Sequence, residues 1–219
     1  MSLIELEQTL RESIESEADL LTKLSEAIRL TSPLSKSGTD ITKTILLRMK
    51  SYYEGQRKVK ELLNKRYLSA ASDFFVESIL FYLKLFCEFY AKDLEVHSER
   101  QVKKKRGAIR PDISVWHGDE VIGIIECKTQ LGWSRQKWEI DFNQREKALR
   151  VDFPHARTYL LVMSSVNWAG FKEGDGRIGH QFFTLSSLWP NNITRDHSEE
   201  VIVDPVEVLF NSLISGHET

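Results

Sequence analysis

The sequence predicts an α/β fold in which helices flank a central mixed β-sheet, preceded by an N-terminal helical extension. Two runs of β-branched and aromatic residues, 113–116 and 121–126, lie on either side of a polar Gly-Asp turn, which is typical of a β-hairpin. A helical segment separates the second run from another apolar run at 158–166, and this strand–helix–strand order favours a parallel strand pair. We therefore assign residues 1–70 to the extension and 71–219 to the α/β core.

The composition is that of a globular protein with one domain and a helical appendage. Of the 219 residues, 41% are hydrophobic and 28% are charged. No apolar run approaches the roughly twenty residues of a membrane span, and no signal-peptide pattern opens the sequence. Cys87 and Cys127 lie in apolar segments without metal-ligand spacing, so we expect buried free thiols in a reducing cytoplasm and no contact with a membrane.

The first predicted helix, 3–30, is amphipathic. Its apolar stripe, with spacings of three, four or seven residues, consists of Leu3, Leu10, Ile14, Leu21, Leu24 and Ile28. Between Glu5 and Arg29 there are seven acidic residues and three basic ones. This charge favours packing on the body of the protein or on a second chain rather than on DNA.

Two more helices are predicted before the hairpin. One begins at Thr39 or Asp40 and extends toward Tyr67, and its polar side carries eight basic and three acidic residues. That side is either a solvated surface or a contact for phosphate groups. The other helix begins with Ser72 or Asp73 as its N-cap and is apolar on almost every side, so we expect it in the core.

Charged residues lie at the ends of the two hairpin strands. Because side chains alternate along a strand, Glu126 and Lys128 point to one side and Cys127 to the other. The hairpin also brings Asp112, before the first strand, beside Glu126 at the end of the second. Charges at the end of an apolar strand must be paired, hydrated or bound to metal, and a hard divalent cation relieves the repulsion between two carboxylates. The sequence therefore predicts a divalent-metal site here.

These residues resemble the signature of the PD-(D/E)XK nuclease superfamily: Pro111-Asp112, thirteen residues, then Glu126-Cys127-Lys128. The resemblance covers roughly 73–166 and implies a restriction-endonuclease-like core. It also implies a Mg²⁺-dependent endonuclease acting on DNA, such as a type II restriction endonuclease, with Mn²⁺ as an alternative ion. By the same resemblance Asp112, Glu126 and Lys128 are catalytic: Asp112 and Glu126 bind the metal, and Lys128 orients or activates the attacking water. Cutting both strands needs two active sites, so a homodimer is expected.

The resemblance suggests two additional metal ligands, the backbone carbonyl of Cys127 and the carboxylate of Glu77. In that family the helix before the first signature strand often carries a glutamate facing the active site. Glu77 occupies such a helix, and Glu88 is the weaker alternative. Another interpretation stays open, in which a nuclease fold with weak or absent catalysis binds DNA or a protein partner.

Basic residues precede and follow the hairpin, although the net charge of the chain is only −2. Residues 100–110 contain six positive charges and no acidic residue, and a polyanion at the predicted site would lie beside them. Beyond Lys128, the next loop either places Trp133 against a base or buries it as a structural residue. The predicted phosphate contacts are Lys103, Lys104, Lys105, Arg106, Arg110, Arg135 and Lys137.

The remaining elements are expected to complete the sheet and its covering helices. We predict strands at 94–99, 181–185 and 201–203, a helix at 138–153 and a closing helix at 205–215. The helix after the hairpin offers two candidates for an auxiliary polar residue, which the sequence does not separate: Gln144 and Lys147. The chain has no HExxH, GxSxG or phosphate-binding loop pattern, which argues against a zinc hydrolase, a serine hydrolase and a P-loop enzyme.

Overall fold

A computed structural model describes residues 3–103, 108–131, 135–166, 171–194 and 199–215. Within these ranges the helices are α1 (Leu3–Thr31), α2 (Asp40–Leu62), α3 (Ser72–Tyr90), α4 (Arg135–Asp152) and α5 (Val206–Ser215). The strands are β1 (Leu94–Ser98), β2 (Ile113–His117), β3 (Glu120–Lys128), β4 (Arg157–Ser164) and β5 (Phe182–Ser186). Among the described helices, none has both the length and the apolarity that crossing a bilayer requires.

The five strands form one mixed sheet in the order β1-β2-β3-β4-β5. β1, β2 and β3 pair antiparallel, whereas β3, β4 and β5 pair parallel. The α/β class with a central mixed sheet is therefore confirmed, as is the parallel pair that the strand–helix–strand order predicted. α4 is the crossover between β3 and β4, which a parallel pair requires.

Helices cover both faces of this sheet. On one face α4 contributes Phe142 and Leu149, which are buried in apolar clusters with strand residues such as Ile124 and Leu160. α3 and α5 pack against the sheet and against each other. Gly123 in β3 allows the close approach of α5, because a Cβ built there would lie 2.7 Å from Cδ2 of Leu213. The core strand β3 is thus buried on both sides, which explains its nearly continuous apolar sequence.

The chain separates into two compact units, Met1–Leu34 and Ser35–Thr219. α2 belongs to the second unit, whereas the sequence-based boundary at residue 70 places it with the extension. The physical reason is a long-range cap. The backbone N–H groups of Ile41 and Thr42 donate to one carboxylate oxygen of Glu207 in α5, at 2.7 and 3.3 Å. The Thr42 hydroxyl donates to the other oxygen at 2.6 Å and accepts from the Val206 N–H at 2.7 Å.

Three local expectations differ from the structure. α2 ends at Leu62 rather than near Tyr67, because Asn64 adopts a left-handed conformation with φ of 50°. α3 has Ala71 at its N-cap, so Ser72 and Asp73 lie inside its first turn instead of capping it. The strand expected at 201–203 is a single bridge between Ser186 and Ile202.

Candidate active site

The register of the β2–β3 hairpin places the signature carboxylates side by side. Ile113 pairs with Ile125, and the two strands are antiparallel. Asp112, one residue before Ile113, therefore lies opposite Glu126, one residue after Ile125. Lys128 Nζ lies 3.4 Å from Oδ2 of Asp112 and 3.9 Å from Oε2 of Glu126. The structure therefore brings the two carboxylates and the ammonium group together at the end of β3.

Asp112 is fixed by both neighbouring strands. Its Oδ2 accepts a hydrogen bond of 2.8 Å from the backbone N–H of Cys127. Its backbone carbonyl accepts from the Ser98 hydroxyl at 3.1 Å and from the Glu99 N–H at 3.3 Å. These bonds tie the residue between β1 and β3, so the position of its carboxylate follows from the pairing of the sheet.

Glu126 is the most buried charged group of this cluster, with a side chain that is 6% exposed. Burial raises the pKa of Glu126, and the negative charge of Asp112 raises it further. Arg145 and Lys128 oppose these effects, and Arg145 Nη1 donates to Oε1 of Glu126 at 2.5 Å. Both carboxylate oxygens thus face a positive group. The effect of burial on the pKa is still larger than that of the two cations.

Arg145 was not among the predicted site residues. It lies on α4 between the two neighbours predicted as auxiliary candidates, Gln144 and Lys147. Phe142 lies three residues before Arg145 and Leu149 four residues after it, and both are buried against the sheet. This spacing places Arg145 on the sheet-facing side of the helix, and it is the signal that would have found the residue.

Two clefts meet at Lys128, one on each side of the strand end. The larger, of about 420 Å³, is lined by Asp112, Cys127 and residues of α3 that include Glu77. The smaller, of about 130 Å³, is lined by Glu126, Arg145 and apolar residues of α4 and β4. Lys128 lines both clefts. A substrate in either cleft would therefore lie beside Lys128.

Glu77 shares the larger cleft with Asp112 but has a partner of its own. Its Oε1 accepts a hydrogen bond of 3.0 Å from Arg48 Nη2. The Arg48 guanidinium also lies over the ring of Phe74, at 4.9 Å from the centroid. Glu88 is exposed and does not line this cleft. A metal-binding role for Glu77 stays a prediction.

The donor set at the strand end fits Mg²⁺ better than a metal that requires a full cage of side chains. Among the described residues, no group of three or more His, Cys, Asp and Glu side chains is placed to hold a metal ion. Mg²⁺ is ordinarily held by one or two carboxylates together with water and substrate phosphates. Asp112 and Glu126 match that requirement. The Cys127 thiol is buried, and burial raises its pKa well above the ordinary value, so Cys127 would contribute only its carbonyl.

The predicted phosphate-binding residues fall into three groups. Arg110 and Lys137 are exposed. Lys103 forms an ion pair with Asp152 and so has a carboxylate partner. Lys104, Lys105, Arg106 and Trp133 lie outside the described residues, and Arg135 begins α4 with a side chain that is likewise outside them. Their proposed contact with nucleic acid stays a prediction.

Comparison with known proteins adds one weak likeness. No protein-family model matches the sequence, and no curated protein matches it. Among solved structures, the chain is similar to one described as the native BbvCI A2B2 tetramer at low resolution. The two share 11% sequence identity with a TM-score of 0.31, over 93% of this chain and 94% of that chain. Because a TM-score of this size does not establish a common fold, the function of the site must be inferred from its own geometry.

Proposed function

We propose that the protein is a metal-dependent endonuclease that hydrolyses phosphodiester bonds of DNA. One observation carries this proposal: Asp112, Glu126 and Lys128, from the two ends of one hairpin, converge at the end of a buried strand. The arrangement has the residue types and the strand–turn–strand setting of the PD-(D/E)XK signature. It also lies at the junction of two open clefts, where a large substrate has access.

Asp112 and Glu126, with the carbonyl of Cys127, would hold Mg²⁺ or Mn²⁺. Such an ion, when bound, neutralises charge on a phosphate and lowers the pKa of water. Lys128 has the freedom to act on the substrate, since its side chain is 46% exposed and its contacts with both carboxylates are long. Its ammonium group would orient the attacking water and stabilise the charge that develops on the phosphate.

DNA is the proposed substrate because basic residues lie close to the signature residues in the sequence. Arg110 and Lys137 are exposed, and residues 100–110, which precede Asp112 in the sequence, contain six lysine and arginine residues. Contacts of this kind recognise phosphates without regard to sequence and make the affinity depend on salt. Cleavage of both strands would require two such sites, which we propose a homodimer supplies, as in a type II restriction endonuclease.

The test is cleavage of supercoiled plasmid by the full chain and by three variants, Asp112→Ala, Glu126→Ala and Lys128→Ala, with Mg²⁺ or Mn²⁺. We expect the wild-type protein to nick or linearise the plasmid and each variant to lose that activity. Lys84→Ala is a matched control, because Lys84 is an exposed lysine of α3 that does not line either cleft. Unchanged cleavage in all three variants would refute the assignment.

A second assay, run beside the cleavage test, separates the nuclease from a binding module with this fold. A gel-shift measurement on fragments of the same plasmid reports DNA binding independently of cleavage. Wild-type protein that binds DNA in Mg²⁺ and in Mn²⁺ but never nicks it would establish the binding module instead.

A further inference from the structure

Glu126 and Arg145 form an ion pair whose two halves differ in exposure. The Glu126 side chain is 6% exposed, whereas the Arg145 side chain is 45% exposed. The carboxylate is thus fixed in the wall of the smaller cleft, and the guanidinium reaches it from the solvent side of α4. Movement of Arg145 away from this contact would cost the arginine itself little, because nearly half of its side chain is already exposed to water.

The ion pair occupies an oxygen that the proposed metal site needs. Arg145 Nη1 lies 2.5 Å from Oε1 of Glu126, and Lys128 Nζ lies 3.9 Å from Oε2. A divalent cation on this carboxylate and a guanidinium on the same oxygen would repel each other at short range. Metal binding and the Arg145–Glu126 contact therefore compete.

A displaced Arg145 would remain at the site, since α4 is anchored on both sides of it by buried Phe142 and Leu149. Among the described residues, Glu126 is its hydrogen-bond partner, through one of five N–H donors. Asp141 lines the same cleft and lies four residues earlier on α4, so it is the alternative carboxylate. A phosphate offers a more favourable partner than Asp141, because it binds the planar guanidinium through two parallel hydrogen bonds and arrives with the substrate.

We propose that Arg145 exchanges partners: it neutralises Glu126 in the metal-free protein and binds a phosphate of DNA when Glu126 is engaged by a metal ion. This inference rests on the proposed function and extends it with a substrate-binding residue on α4. It has two consequences. Arg145 weakens metal binding in the absence of DNA, and it strengthens DNA binding only in the presence of metal.

Both consequences are measurable on the full chain without any turnover. Mn²⁺ affinity without DNA is measured by titration calorimetry for wild type, Arg145→Ala and Arg145→Lys. We expect Arg145→Ala to bind Mn²⁺ about tenfold more tightly, because one close positive charge has been removed. Arg145→Lys should stay near wild type. Arg150→Ala is the matched control, since Arg150 is another exposed α4 arginine, paired with Glu146 rather than Glu126.

DNA affinity is then measured on a short duplex of mixed sequence, once in EDTA and once in Ca²⁺. In Ca²⁺ we expect Arg145→Ala to bind about tenfold more weakly, as for the loss of one charge-assisted contact. Its salt slope should fall by about one. In EDTA it should match wild type. Asp141→Asn, which removes the alternative partner, should show no loss in either condition.

Several results would overturn the exchange. Weaker Mn²⁺ binding by Arg145→Ala would mean that Arg145 positions Glu126 for the metal. An equal loss of DNA affinity in EDTA and Ca²⁺ would mean that its DNA contact is independent of Glu126. Thermal melting identifies a misfolded Arg145→Ala, in which case Arg145→Gln is measured instead. If Arg145→Ala shows both effects but the wild-type protein cuts no DNA, the nuclease proposal alone is refuted. Wild-type protein that binds no Mn²⁺ would refute both proposals.

Discussion

Two clusters of arginine and carboxylates contact α4, and they differ in how well their charges are matched. In one, Arg177 donates to Asp175 through Nε at 2.9 Å and Nη2 at 2.6 Å, and to Glu139 of α4 at 2.5 Å. The pKa of Asp175 is lowered to about 2 by hydrogen bonds from the side chain and backbone of Arg177. In the other, burial keeps the pKa of Glu126 raised although Arg145 and Lys128 are close.

The difference separates a structural ion-pair cluster from the proposed metal site. The Arg177 cluster satisfies its carboxylates with charged hydrogen bonds, and its guanidinium also covers the ring of Phe182 at 4.3 Å. An additional cation would gain little there. The cluster at Glu126 holds a buried carboxylate next to another one, so it still gains from a further positive charge. Arginine and carboxylate side chains can thus hold a loop against a helix in one cluster and form the proposed metal site in another. The outcome depends on how deeply the carboxylate is buried and on how many hydrogen bonds it accepts.

The largest expected effects come from exchanging one carboxylate in each cluster for its amide. Glu126→Gln should reduce plasmid cleavage by about a hundredfold or more, the scale for losing a group that stabilises transition-state charge. Its stability should not fall, because the substitution removes a charge whose burial is unfavourable. Asp175→Asn should do the reverse, with cleavage retained and stability lowered. Cleavage rates and urea unfolding of the two variants test this crossed pattern, and the same outcome in both would abolish the distinction.

A smaller effect is expected from removing the arginine of the structural cluster. Arg177→Ala should lower the free energy of unfolding by about 2 kcal/mol, since it deletes charged hydrogen bonds to Asp175 and Glu139. Arg150→Ala should lower it by about 0.5 kcal/mol or less, as for an exposed pair within a helix. Urea titrations at constant pH measure both. Equal losses would show that the Arg177 cluster contributes no more than a surface ion pair.

The Arg177 cluster should also make the free energy of unfolding depend on pH in the acid range. The folded pKa of Asp175, about 2, lies below the unfolded value of about 3.9, so its ionised form stabilises the native state. This stabilisation is nearly complete above about pH 5 and is lost progressively as the pH falls through 4 toward 2. The difference in unfolding free energy between wild type and Asp175→Asn should shrink over that interval. A difference that stays constant from pH 5 to about pH 2 would contradict the assigned pKa shift.

Local patterns predicted the hairpin and therefore the meeting of Asp112, Glu126 and Lys128. A two-strand register depends on alternation and a short turn, both of which are written in neighbouring residues. The cap on α2 could not be predicted in this way. Glu207 reaches Ile41 and Thr42 from more than 160 residues away, so only the tertiary arrangement identifies it as the capping residue.

Arg145 illustrates a different limit. The sequence predicted a helix after β3 but not which side of that helix faces the sheet. Ile140 and Val151 are apolar yet exposed, whereas Phe142 and Leu149 are buried. The side of a helix that faces the sheet is normally inferred from the periodic spacing of its apolar residues. The exposed apolar residues of α4 interrupt that spacing. The sequence therefore offered Gln144 and Lys147 as candidates and missed Arg145, which only the packing of α4 identifies.

The smallest expected effect on metal binding and cleavage concerns Cys127, the residue between the two signature side chains. Its thiol is buried, and because side chains alternate along β3 it lies on the opposite side from Glu126 and Lys128. Burial raises the pKa of this thiol well above its ordinary value, and the sulfur lies on the side of β3 away from the two carboxylates' strand-end cluster. Cys127→Ala should therefore keep its Mn²⁺ affinity and its cleavage rate.

Cys127→Ala should change only the stability of the protein. Removing one buried sulfur atom should lower the free energy of unfolding by about 1 kcal/mol, as for other small truncations in a core. Thermal melting and titration calorimetry on the same preparation measure the two quantities together. A large fall in Mn²⁺ affinity without a matching loss of stability would place the sulfur, rather than the backbone carbonyl, at the metal. In that case burial in β3 would not keep the thiol protonated. The effect of burial on the pKa of Glu126 in the same strand would then have to be reconsidered.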